Sequence, residues 1–86
     1  MARLPVVSAS ELIKVLEKEG FRVVRQRGSH IVLQKRTEES TITTVVPNHK
    51  ELALGTLRSI LKRTGLSAED LIRLLTALIG VMPRLW

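Results

Sequence analysis

The sequence predicts an α+β fold in which one helix is followed by three antiparallel strands and a second helix, with an extra C-terminal helix. Two observations predict this order. Apolar residues recur at helical spacing near both ends of the chain, whereas residues 21–46 are rich in β-branched side chains and broken by short polar turns. Three consecutive strands joined by short turns favour an antiparallel meander. With 86 residues, the chain is expected to form a small domain with a thin core.

Helix boundaries are predicted from capping signals. The first helix is expected at about residues 8–19, because Ser8 and Glu11 have the spacing of a capping box and Gly20 follows the last turn. The second helix is expected from Leu54 to the glycine at position 65. Ser67 opens the third helix, which extends to residue 79 and is apolar over most of its circumference, so it needs cover from more than one small sheet.

The strands are predicted at residues 21–25, 30–36 and 41–46, the last ended by Pro47. Gly28 and Ser29 mark the turn between the first two strands. Side chains alternate across a sheet, so His30 points outward if Ile31 enters the core. By the same parity Arg22 and Arg25 lie on opposite faces, so only part of the basic cluster can serve one site.

Composition narrows the classes of function. The chain has no cysteine, and its two histidines are nineteen positions apart, which is no familiar zinc spacing; we expect neither a metal nor a cofactor. No apolar run approaches the roughly 18 residues of a spanning helix, and no secretory signal is visible, so a cytoplasmic protein is expected. Residues 1–79 are expected to form a single domain and residues 80–86 a tail without a clear element.

Charge points to a polyanionic partner, with nucleic acid first, because the net charge is +6 and the pI is about 10.9. Between residues 22 and 36 there is no acidic residue, and five cations flank His30. These cations are Arg22, Arg25, Arg27, Lys35 and Arg36. Imidazole can exchange a proton near neutral pH, which attack on a phosphodiester needs. We infer RNA as the substrate, and about five phosphate contacts predict a salt slope near −3.5.

Individual roles follow from residue chemistry. His30 is the predicted general base or acid, and its alternative is an exposed strand histidine without a role. Gly28 allows close approach of the backbone to a phosphate, to which the Ser29 hydroxyl and nearby amides can donate. Positive charge for the non-bridging oxygens is predicted from Arg25, Arg27 and Lys35. His49 is a possible second acid or base, and otherwise a loop or cap residue.

Several segments together resemble the HicA toxin family, small mRNA interferases with a fold like the double-stranded-RNA-binding domain. The matching segments span about residues 5–75 and occur in the family's order. They are Gly20-Phe21 after a capped helix, Gly28-Ser29-His30, Pro47-Asn48-His49, Gly55-Thr56-Leu57-Arg58 and Gly65-Leu66-Ser67. The resemblance implies an endoribonuclease toxin of a type II toxin–antitoxin system, with His30 as catalytic residue and a HicB-type antitoxin as partner.

Two other functions compete with this interpretation. A noncatalytic RNA-binding module of the double-stranded type would use the same charges and shape without cleaving RNA. A DNA-binding regulator ranks last, because no helix-turn-helix pair with a polar recognition helix stands out and the cations concentrate on strands. The free protein is expected to be a monomer that binds no membrane.

Overall fold

The computed structural model describes residues 3–86, and within that range the chain forms three helices and three strands. In chain order these are α1 (Ala9–Lys18), β1 (Arg22–Arg27), β2 (His30–Arg36), β3 (Thr41–Pro47), α2 (Leu54–Thr64) and α3 (Ala68–Ile79). This order confirms the predicted α-β-β-β-α fold with an additional C-terminal helix. The first strand begins one residue later than predicted and ends two residues later, directly before the turn at Gly28.

The sheet is an antiparallel meander in the order β1-β2-β3, so β2 lies at its centre. Both α1 and α2 pack against β3, and their apolar faces meet the sheet in a single core. Leu12 and Leu16 of α1, Leu57 of α2 and Leu33 of β2 have no exposed surface. All six residues of β1, in contrast, are exposed, including Val23, whose partner Leu33 faces the core. The helices therefore cover one face of β2 and β3 and leave β1 at the margin of the core.

The helix ends show the predicted capping interactions. Ser8 and Glu11 form a reciprocal capping box: the Glu11 amide donates to Ser8 Oγ at 3.1 Å, and the Ser8 amide donates to Glu11 Oε1 at 2.9 Å. Gly20, just past α1, has φ 96°, and Gly65 at the end of α2 has φ 76°. These left-handed conformations cost glycine little, so each helix stops where predicted.

The third helix packs against α1, which supplies the cover that its wide apolar surface needs. Leu71 and Leu75 are fully buried, and Leu74 and Leu78 pack at the margin of the core. Its first turn is capped by Ser67, whose Oγ accepts from the Asp70 amide at 3.0 Å. The carboxylate of Asp70 accepts from Arg73 at 3.1 Å, and this guanidinium lowers the pKa of the carboxyl.

Residues 80–86, expected to lack a clear element, instead pair with the N-terminal segment. An isolated antiparallel bridge joins Pro5 to Leu85. The Val6 amide donates to the Arg84 carbonyl at 2.6 Å, and the Trp86 amide donates to the Leu4 carbonyl at 2.8 Å. Pairing between two distant single segments has no local sequence signal, which is why the sequence did not predict it. Among the described residues, no helix has the length and apolarity to cross a membrane.

We predict that Ser8→Ala lowers the free energy of unfolding by about 1 kcal/mol, because it removes the side-chain acceptor of the capping box. Urea denaturation followed by circular dichroism measures the change. Ser59→Ala is the matched control, since Ser59 is an exposed residue of α2 with no side-chain hydrogen bond. Equal stability of the Ser8 variant and the wild type would contradict a stabilising role for the box.

Candidate active site

The predicted site lies at the hairpin that joins β1 to β2. Gly28 and Ser29 form a two-residue turn, flanked by the paired residues Arg27 and His30. Gly28 has φ 55°, and no non-glycine residue among those described has a positive φ. A positive φ at the first turn position alone is typical of a type II′ turn, whose twist matches that of the strands. The glycine is therefore needed for the backbone direction that places His30 directly after the turn.

His30 is exposed at the start of the central strand. Its partner in β1 is Arg27, and its partner in β3 is Pro47. Ile31, the next residue, is 8% exposed and belongs to the core, so His30 points to the opposite face, as the alternation predicts. Residues directly opposite in an antiparallel pair have Cβ atoms about 5 Å apart, so the side chains of Arg27 and His30 leave the same face of the sheet as direct neighbours.

The face opposite the helices, here called the open face, carries most of the predicted cations. It is defined by the residues that pair in register with His30 and its same-face neighbours on β2. These are Arg22, Arg25, Arg27, His30, Val32, Gln34, Arg36, Thr41, Thr43, Val45 and Pro47. None of the three strands contains an acidic residue. The open face is therefore positively charged along its length.

A β-bulge in β1 brings the arginines of that strand to one face. The register shifts between Val23 and Arg25, which leaves Val24 as the extra residue. The ladder then pairs Arg22 with Gln34, Arg25 with Val32, and Arg27 with His30. Paired residues lie on the same face, so the prediction that Arg22 and Arg25 lie on opposite faces is wrong. One inserted residue reverses the parity obtained by counting along a regular strand.

Lys35, predicted to serve the same site, lies elsewhere. It is an odd number of residues from His30 on the same strand and pairs with Ile42, so it belongs to the helix-covered face. Its Nζ lies 5.8 Å from the centre of the Phe21 ring, within cation–π range. Its alkyl chain runs close to Gly20, where an added Cβ would meet Lys35 Cε at 3.3 Å. The structure therefore separates Lys35 from Arg25, Arg27 and His30.

The loop that carries His49 meets the same end of the sheet. The Asn48 amide donates to the Ser29 carbonyl at 2.6 Å, which ties this loop to the hairpin turn. His49 itself is exposed, and its carbonyl accepts from the Ala9 amide at 3.0 Å. This bond satisfies one of the first-turn amides of α1, so the backbone of His49 acts as a helix cap. Sequence alone could not place this loop beside the hairpin.

Sequence reasoning left two residues of the open face out of the site. Arg36 follows His30 by six positions on the same strand, so parity alone would have placed it on the same face. Arg22 is brought there by the bulge, for which the sequence offers no signal. Together with Gly20, Gln34 and Thr41 these arginines line a cleft of about 350 Å³.

This geometry defines a basic α+β domain with an exposed histidine and four arginines on the sheet face opposite the helices. The family model described as the HicA toxin of bacterial toxin–antitoxin systems matches residues 9–66. The match covers the first helix, all three strands and the second helix. The chain therefore belongs to the HicA toxin family. No curated protein and no solved structure matched the chain.

We predict that Gly28→Ala and Gly55→Ala change stability in opposite directions. Both glycines have open space where a Cβ would be added, so neither substitution creates a clash. At Gly28 the positive φ makes alanine costly, by about 1 kcal/mol or more, whereas alanine in α2 stabilises by up to about 1 kcal/mol. Thermal unfolding of both variants measures the effect. A Gly28 variant as stable as the wild type would contradict the assigned turn.

Proposed function

We propose that the protein is the toxin of a type II toxin–antitoxin system and cleaves mRNA as a metal-independent endoribonuclease. The observation that carries the proposal is the exposed His30 next to Arg27, on a sheet face formed by strands without any acidic residue. An imidazole can take up and release a proton near neutral pH, which general acid–base catalysis requires. Membership of the HicA toxin family supports the toxin role.

The proposed reaction uses the 2′-hydroxyl of the substrate as nucleophile. His30 takes the 2′ proton as the oxygen attacks the adjacent phosphorus, and the P–O5′ bond then breaks. The products are a 2′,3′-cyclic phosphate and a 5′-hydroxyl, and the departing 5′-oxygen receives a proton. Negative charge builds up on the non-bridging oxygens during attack. Arg27 and Arg25 are the proposed donors to these oxygens, together with the Ser29 hydroxyl and the amides next to Gly28.

The second proton transfer has two candidate sources. His49 lies in the loop that is bonded to Ser29, so it belongs to the same end of the sheet as His30. In the first alternative, the His49 imidazole is the general acid and protonates the departing 5′-oxygen. In the second, His30 gives that oxygen the proton that it took from the 2′-hydroxyl. Since backbone capping of α1 uses only the carbonyl of His49, its imidazole is available for this role.

The proposed partner is a HicB-type antitoxin. An inhibitor of a cationic site is expected to present acidic or bulky groups over His30 and to exclude RNA. We further propose that the free toxin acts in the cytoplasm as a monomer. A footprint of the co-purified antitoxin that leaves His30 accessible would contradict this mode of inhibition.

We predict that His30→Ala reduces the cleavage rate by about 10²- to 10⁴-fold, because a positioned proton-transfer group is lost. RNA affinity should stay nearly unchanged, since the phosphate-binding cations remain. Gel-based cleavage of a single-stranded RNA measures turnover, and fluorescence anisotropy with the same RNA carrying 2′-O-methyl groups measures binding. The wild type must leave the 2′-O-methyl RNA intact, because that RNA has no 2′ nucleophile.

His49→Ala is the companion variant for this experiment. A rate loss comparable to that of the His30 variant supports two proton-transfer groups, whereas a small loss supports His30 alone. If the wild type binds RNA without cleaving it, the protein is a noncatalytic RNA-binding module and the nuclease proposal fails. Cleavage that survives in the His30 variant would remove the histidine from the mechanism.

We predict a salt dependence set by the open face. Four arginines share this face with His30, and Lys35 does not, so at most four phosphate contacts replace the five expected from sequence. For single-stranded RNA the slope of log K against log salt is then no steeper than about −2.8, and affinity falls by at most about 50-fold from 50 to 200 mM salt. Arg25→Gln should reduce the slope by about 0.7, whereas Lys35→Gln should leave it unchanged. Equal effects of the two variants would contradict the assignment of faces.

A further inference from the structure

Positive charge is also concentrated at the end of the open face that lies farthest from His30. Arg22 and Arg36 line the cleft of about 350 Å³ together with Gly20, Gln34 and Thr41. Gln34 is four residues beyond His30 on β2, so the cleft lies about 13 Å from the imidazole. The catalytic step described above does not use it.

The arginines of the open face differ from most other arginines of the chain because their guanidinium groups make no hydrogen bond to oxygen atoms of the protein within residues 3–86. Arg3, Arg63, Arg73 and Arg84 each donate to a backbone or side-chain oxygen of the protein. Within residues 3–86, the guanidinium groups of Arg22, Arg25, Arg27 and Arg36 make neither a side-chain hydrogen bond nor an ion pair. This holds even for Arg36, although Glu38 and Glu39 follow it in the next turn. Their donors are free for a ligand.

The spacing of these cations suits an extended polyanion. Same-face rows of a strand are about 7 Å apart, so Arg27, Arg25 and Arg22 occupy three successive rows, separated by two such steps, along the edge strand. Such a step is close to the length of one nucleotide in an extended strand. A phosphate beside His30 and Arg27 would therefore have its next neighbour near Arg25 and the following one between Arg22 and Arg36.

We infer that the cleft between Arg22 and Arg36 is a phosphate subsite for single-stranded RNA, two nucleotides away from the phosphate beside His30. The inference rests on the proposed function for the identity of the substrate. Two guanidinium groups can hold one phosphate through paired hydrogen bonds. Gln34 lines the same cleft, and its side-chain amide donates to Thr43 Oγ1 at 3.2 Å. The bulge at Val24 is the structural device that builds this subsite, because it turns Arg22 toward the open face.

The test compares the variant Arg22→Gln/Arg36→Gln with Arg58→Gln/Lys62→Gln. Both lose two positive charges, but Arg58 and Lys62 are on α2, which packs against the other face of the sheet. The probes are a labelled 2′-O-methyl hexanucleotide and a dinucleoside monophosphate. Fluorescence anisotropy and the amide chemical shifts of the protein measure their binding. Neither probe depends on cleavage, since 2′-O-methyl RNA has no nucleophile and the dinucleotide is used with His30→Ala.

The expected result is a loss confined to the longer probe. For the hexanucleotide, Arg22→Gln/Arg36→Gln should weaken binding on the order of tenfold in 50 mM salt and reduce the salt slope by about 0.7, because the two guanidinium groups share one phosphate. It should not change binding of the dinucleoside monophosphate, whose single phosphate occupies the hairpin end. The hexanucleotide alone should shift the amides of Arg22, Gln34 and Arg36.

Three results would overturn the subsite. They are a hexanucleotide affinity equal to that of the α2 control, an equal loss for both probes, and a loss of antitoxin binding with RNA binding intact. The last result would assign these arginines to a protein interface. Failure of the nuclease proposal is separate, because it would appear as uncleaved RNA in the wild type while the hexanucleotide still loses affinity in the variant.

Discussion

The burial of Ile31 and Leu33 in the central strand fixes the rest of the site. These side chains are 8% and 0% exposed and lie in the core that α1 and α2 form with the sheet. A slip of one residue would turn them to solvent and would bury His30 and Gln34 instead. Each fully buried aliphatic side chain contributes about 1.5–3 kcal/mol, and each unsatisfied buried polar group costs about 1–3 kcal/mol. Packing of Ile31 and Leu33 on the opposite face therefore directs the His30 side chain outward.

Local chemistry explains why much of this fold was predictable. The caps at Ser8, Gly20 and Gly65 act within a few residues, and strand alternation from Ile31 to Leu33 needs only a count. The features that the sequence could not predict either join distant segments or interrupt the alternation of side chains along a strand. The bulge at Val24 is a single inserted residue that resembles any other valine in a strand. Likewise, the bond from Asn48 to Ser29 depends on how the sheet closes against α1.

The open face has an energetic cost that a polyanion relieves. Neighbouring guanidinium groups about 7 Å apart repel by about 0.6 kcal/mol in water before salt screening. Within residues 3–86 no carboxylate pairs with the four arginines of this face, and Val24 and Val45 remain 38% and 44% exposed beside them. A polyanion that bound this face more tightly than it bound the unfolded chain would stabilise the fold by mass action.

The two ends of the open face serve different parts of the proposed reaction. In the proposed complex, Arg22 and Arg36 bind a phosphate whose charge stays constant during catalysis, so they would stabilise the ground state and the transition state equally and act on KM. Arg27 lies beside His30, where charge accumulates on the phosphorus oxygens as the nucleophile attacks, so its contribution rises in the transition state and acts on kcat. Remote binding nevertheless matters for the chemistry, because an anchored strand holds the 2′-oxygen within reach of the imidazole. A rigid antiparallel sheet is suited to this task, since the register of β1 on β2 fixes the distance between the anchor and the proton acceptor.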